Sequence, residues 1–123
     1  MWLADLTWPE VAGLRAESRD VGLFQPDWTK GDAHAGREET AMLLASRPGI
    51  VRMELSAPGE CRPLAELMPL LRAEGVRAVS PSGVLGDPTT ATAVAGVQLL
   101  EELGSALIRY VEAWLGRHAE APR

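Results

Sequence analysis

Lysine is nearly missing from this chain: Lys30 is the single one, and the 12 Lys and Arg residues are outnumbered by 17 Asp and Glu for a net charge of −5. With no basic stripe, the charge argues against nucleic acid as the main partner, because phosphate neutralisation needs clustered cations. Cysteine is as scarce. Cys61 alone forms neither an internal disulfide nor a Cys-type zinc site, so a reducing compartment is expected and Cys61 reads as a small loop residue. Histidine occurs only at positions 34 and 118, too few imidazoles for an obvious self-contained zinc site. No apolar run approaches the roughly 18 residues of a membrane span, and no membrane association is expected. The opening MWLADLTWPEVAG carries acids where a secretory leader carries bases and an apolar stretch. Cytoplasmic localisation follows as an expectation. Internal repeats and low-complexity tracts are absent as well.

What is present is the composition of a folded domain, 46% hydrophobic and 24% charged over 123 residues. One domain, 1–123, is expected, long enough to bury roughly two thirds of its unfolded surface. Thr7, Pro9, Val11 and Leu14 outline a brief first helix. Val21, Leu23 and Phe24 suggest a short strand over 20–24, followed by a loop through 33. Good helix formers with acids in the first turns predict a helix from Ala35 to about Ser46, ended by Arg47-Pro48-Gly49. In IVRMEL, Val51, Met53 and Leu55 alternate with Arg52 and Glu54, predicting a half-buried strand over 50–55. A helix is predicted from Pro63 to Ala73, with Pro69 as a kink or a late start and Gly75 as its stop. Val76–Val79 reads as another strand. From Ala91 to Leu115, apolar residues at 93, 97, 100, 103, 107, 111 and 114 repeat at the spacing of one helix face. Strands alternating with helices over short connections predict α/β packing on a thin, mostly parallel sheet.

Two loops can carry chemistry, DAHAGREET and SGVLGDPTTAT, since ligands of open parallel sheets gather at strand carboxyl ends. His34 beside Asp32, Glu38 and Glu39 is either a polar residue at a helix entrance or a proton-transfer group oriented by a carboxylate. Gly83 and Gly86 allow close backbone approach or serve as turn residues. Asp87 or Thr89 suits a helix cap.

The segment GDAHAGREETAMLLASRPGIV resembles the D-x-H-A-G-x-x-E-T signature of the creatininase, or creatinine amidohydrolase, family. VRAVSPSGVLGDPTTATAVAG resembles that family's later G-V-x-G-D-P-T-x-A-T segment, and LADLTWPEV its first helix. The likeness covers about 2–12 and 28–116 and is closest to the branch associated with mycofactocin, which trims a precursor peptide. It implies a three-layer α/β/α fold, here shortened, and a metal-dependent hydrolase of C–N amide bonds using divalent Zn, Fe or Mn. It further implies a peptide or small amide substrate, and a homo-oligomer or an assembly with a longer relative. By motif position, His34 and Glu39 are the implied catalytic residues, Glu39 also the implied metal ligand. Trp28, Asp32, Gly36, Gly86 and Asp87 are the implied substrate-binding residues. Arg37 receives no role. The family's remaining ligands come from an E-x-H motif, a following Asp and an N-G-H strand end, none of which occurs in this sequence, as though the central strands of the N-terminal half were missing. Ser82 and Thr90 also depart from the pattern. The alternative reading is a non-catalytic module that binds peptide or another subunit.

Overall fold

Residues 13, 17, 21–24, 26 and 32–119 are described by a computed structural model, the side chains of residues 118 and 119 excepted. The first helix expected around Thr7, Pro9, Val11 and Leu14 lies outside the described residues, as does Trp28. The chain divides into two compact units, one of Met1–Asp27 with Ser105–Arg123 and the other of Trp28–Gly104.

Among the described residues, α-helices with defined bounds are α1 (Arg37–Ser46), α2 (Leu64–Glu74), α3 (Val76–Val79) and α4 (Ala93–Ala119), and α1, α2 and α4 form where the sequence carries helix formers and stop signals. Glu38 and Glu39 occupy the first turn of α1, where the helix dipole favours negative charge. Gly75 ends α2 with φ 81, and its N–H donates to the Leu71 carbonyl at 3.0 Å. Only glycine takes that left-handed geometry without cost. Pro69 sits inside α2 on its exposed side. Thr92 opens α4, its hydroxyl accepting from the Ala95 N–H at 3.2 Å, which satisfies one of the helix's orphan donors.

The expected parallel sheet, and with it the three-layer α/β/α arrangement, is overturned: the described residues contain no strand, only an isolated antiparallel bridge between His34 and Leu85. IVRMEL forms tight turns over Pro48–Ile50 and Met53–Leu55. Its alternation is satisfied locally, since Leu55 N–H donates to the Arg52 carbonyl and Ser56 N–H to that of Met53, both at 3.0 Å. Backbone groups without a neighbouring strand bond i to i+3 instead. Ile50 and Leu55 stay more than 60% exposed, with no sheet face to bury them. Val76–Val79 is also helical rather than extended, because Gly75 reverses the chain and the Ser80 N–H closes a turn on Val76 at 2.8 Å. Residues 21–24 adopt no regular structure. Their anchoring is aromatic: Gly22 lies against Tyr110 and Trp114, and the Phe24 and Tyr110 rings stand 5.5 Å apart at 54°.

In the 28–104 unit the core is small. Leu67, Leu71, Val79 and Leu85 are buried together, with Leu64, Met68 and Leu70 packed against them. Thus α2 and α3 contribute apolar side chains to one cluster, and Leu85 ties the GVLGDP loop into it. On the other side, α1 and α4 meet at Gly96, where a Cβ would stand 1.9 Å from the Ala41 carbonyl oxygen.

Candidate functional site

The segment Asp32–Glu39 is shaped by its own carboxylates. Asp32 Oδ2 accepts from the Arg37 N–H at 2.8 Å, and Glu38 Oε2 reaches back to the Asp32 N–H at 3.3 Å. Glu39 Oε2 accepts from the Ala35 N–H. The acids that the sequence sets at a helix start therefore fold the preceding turn onto α1, as side-chain acceptors do for unpaired amides at helix starts. Within that turn Ala35 takes a left-handed backbone, φ 53. His34 projects from it, 65% exposed, with Nδ1 at 3.6 Å from Glu39 Oε2.

The GVLGDP loop is laid alongside. Leu85 exchanges main-chain hydrogen bonds with His34, at 3.1 Å from the His34 N–H and 2.9 Å to its carbonyl, and its carbonyl also accepts from the Ala33 N–H at 2.9 Å. On the loop's other flank, Gly59 N–H donates to the Gly86 carbonyl at 2.9 Å and Glu60 N–H to that of Val84 at 3.0 Å. Asp32 Oδ2 takes a second amide, that of Asp87, at 3.1 Å. Gly36 and Gly86 are both buried against Asp32, and a Cβ on either would collide with its side chain. Asp87 caps its own turn through Oδ1, accepting from the Thr89 N–H at 2.9 Å and its hydroxyl at 2.6 Å.

Electrostatics follow from these contacts. Hydrogen bonds from the Thr89 hydroxyl and amide hold the Asp87 carboxyl below its usual range. At Glu38, partial burial pushes the carboxyl up, but the Asp32 amide and the Arg37 guanidinium outweigh it and leave it lowered. Glu60, gripped by the Arg62 side chain at 2.8 Å, sits at about 2. The Cys61 thiol is pushed up by desolvation and by the charges of Asp87, Asp32 and Glu60, which disfavours the thiolate a cysteine nucleophile needs.

The predicted site residues Asp32, His34, Gly36, Glu39, Gly86 and Asp87 are thus brought together across two loops. They do not make a metal centre. Asp32 Oδ2 is committed to two main-chain amides, Asp87 Oδ1 to Thr89 and Glu39 Oε2 to Ala35 and His34. Among the described residues no group of three or more His, Cys, Asp or Glu side chains is arranged to hold an ion, whereas a divalent site needs at least three protein donors or a carboxylate-rich cage. The donors present do not fit a resident divalent metal by themselves. Sequence reasoning missed Leu85 and Gly59, which fix the loop on both flanks. Their partners lie far away in sequence, and no local pattern marks them.

A family model described as creatinine amidohydrolase matches residues 5–111. The chain belongs to the creatininase family. Among curated proteins, the creatininase-family chain is 48% identical over 104 residues to a mycofactocin precursor peptide peptidase of Mycobacterium ulcerans (strain Agy99), covering 85% of this chain and 42% of that one. It is 44% identical over 104 residues to the protein of that name from Mycolicibacterium smegmatis, again 85% of this chain and 42% of the relative. The same coverage holds for the Mycobacterium tuberculosis H37Rv protein of that name, at 45% identity over 105 residues. The chain therefore spans about two fifths of the length of the curated relatives it matches, 42% in each case. No solved structure is matched. Among the described residues no helix is long and apolar enough to cross a membrane.

Proposed function

We propose that this chain carries the His34–Glu39 part of a creatininase-family amidohydrolase site acting on a C–N bond of a peptide, the mycofactocin precursor being the substrate. The observation that carries the reading is the exposed His34 imidazole held against Glu39 on a turn locked to the GVLGDP loop; the similarity to relatives named as peptidases of that precursor supports the choice of substrate class. A carboxylate beside Nδ1 favours the proton on that nitrogen and leaves Nε2 to exchange one with a bound amide. His34 Nε2 takes a proton from the water that adds to the amide carbonyl carbon and returns it to the nitrogen as the C–N bond breaks, leaving acid and amine. Glu39 stabilises the imidazolium formed in between, the division of labour seen in other carboxylate-oriented histidines. Asp87 borders the peptide at the rim.

No step is routed through a metal. Divalent Zn, Fe or Mn belongs to this reading where further ligands join the residues described, and a further copy of the chain or a longer relative is one source of them. Exposed apolar residues along α4, among them Val94, Ile108 and Leu115, support such an assembly, since apolar surface of this kind is commonly covered by a partner. The cytoplasm is the proposed location.

A synthetic precursor peptide incubated with the purified chain, with and without Zn²⁺, Mn²⁺ or Fe²⁺, gives the test by mass spectrometry, alongside light scattering for assembly. Cleavage is expected, and His34→Ala is expected to lower it by about 10²–10⁴-fold. Cleavage that His34→Ala leaves intact would assign the chemistry elsewhere. The scarcity of metal donors favours a second reading, a peptide-binding or subunit-interaction module. Its signature is saturable peptide binding without cleavage under every metal condition, and absence of both binding and cleavage overturns the two readings together.

A further inference from the structure

We propose that Asp32 is a positioning residue that locks His34 in place through main-chain amides, rather than a charged ligand for substrate or metal. Its effect on chemistry rests on the hydrolase reading above; its effect on structure does not. One oxygen, Oδ2, receives both the Arg37 N–H at 2.8 Å and the Asp87 N–H at 3.1 Å. The first amide starts α1 and the second follows Gly86, so a single atom joins the helix entrance to the opposing loop. His34 lies inside this clamp, two residues after Asp32, with its own backbone paired to Leu85. The steric surroundings agree: a Cβ at Gly36 would stand 2.1 Å from Asp32 Oδ2, and one at Gly86 2.3 Å from its Cβ and Cγ. Both neighbours are buried glycines, so the Asp32 side chain occupies the room their side chains would take.

Convergence of both donors on one oxygen makes the role separable from charge. An asparagine carbonyl accepts two N–H groups as a carboxylate oxygen does, whereas a substrate or metal ligand needs the negative charge. Asp32→Asn and Asp32→Ala are therefore compared by amide hydrogen exchange on the full chain, which reads local opening directly. In Asp32→Ala, protection of the Arg37 and Asp87 amides is expected to fall roughly tenfold or more, the worth of one net hydrogen bond, with the loss spreading to the His34 and Leu85 amides. In Asp32→Asn, protection is expected to recover to within a few-fold of the parent chain. Gly86→Ala, which displaces Asp32 without removing its charge, is expected to reproduce the loss at Asp87. In peptide cleavage, Asp32→Ala is expected to lower kcat by on the order of a hundredfold at little changed KM, the cost of misplacing a reacting group, and Asp32→Asn to recover most of it.

Asparagine that performs as poorly as alanine would overturn the clamp, since charge would then be the requirement. So would Asp32→Ala or Gly86→Ala with full protection at Asp87. If Asp32→Ala does not fold, the asparagine and Gly86 variants decide. If the parent chain cleaves no peptide, the hydrolase reading fails alone and the exchange measurements still judge the clamp.

Discussion

Ala35 holds a left-handed backbone, φ 53, between His34 and Gly36, a conformation that costs a residue with a Cβ roughly 1–2 kcal/mol. Ala35→Gly is expected to relieve that strain and to return part of the gain as unfolded-state entropy, for a net stabilisation of about 0.5 kcal/mol. A urea midpoint at or below that of the parent chain would show that the turn is unstrained. The strain is local, yet the sequence did not reveal it, because the bonds that impose it run from Glu39 to Ala35 and from His34 to Leu85. Neighbours in sequence were legible: His34 with Glu39, and Asp87 with Thr89 as a cap. Asp32 was not, since its deciding partner, Asp87, lies 55 residues away. The substrate-binding role that the family motif implies for Asp32 does not disclose that its Oδ2 accepts from the Arg37 and Asp87 amides.

Helices were readable as elements because their signals are periodic and punctuated. The predicted helix to about Ser46 is α1, the one from Pro63 to Ala73 is α2 with Gly75 as its stop, and the long apolar repeat is α4. Strands were misread where alternation was short and the edges lay next to Gly or Pro, because a strand exists only with a partner to pair its amides. Close helix contacts were equally invisible. Gly96 and Gly104 both sit inside α4, and helix propensity alone predicts that alanine stabilises each by about 0.5–1 kcal/mol. The packing separates them. A Cβ at Gly96 would stand 1.9 Å from the Ala41 carbonyl oxygen, whereas one at Gly104 meets nothing within 4 Å among the described residues. Gly104→Ala is therefore expected to raise stability by about 0.5–1 kcal/mol, and Gly96→Ala to lower it by about 1–3 kcal/mol through overpacking. Chemical denaturation checks both, and equal shifts of the same sign would refute the contact between α1 and α4.

For the molecule as a whole, acid is the expected weak side. Glu60 has an ordinary value of 4.5 and is held at about 2 by the Arg62 side chain, and Glu38 and Asp87 are lowered too. A lowered folded-state value means that the unfolded chain binds more protons, so this stabilisation is whole above about pH 4.5 and is lost as pH falls toward 2. Glu60→Gln is expected to lower the urea midpoint slightly at neutral pH and to flatten its fall across that window. Added salt should shrink the difference, because the pair is open to solvent. A midpoint–pH profile identical to that of the parent chain would show that the Glu60–Arg62 pair adds nothing. The sequence by itself determined the helices α1, α2 and α4 and the family through its HAGREET and GDPT segments, since propensity, caps and motif residues act over a few positions. Only the tertiary structure decided that the apolar alternations form no sheet, that Leu85 anchors the loop, and that Asp32 bridges two segments. Those outcomes depend on whether residues distant in the chain come within hydrogen-bonding reach, and no local pattern encodes that distance.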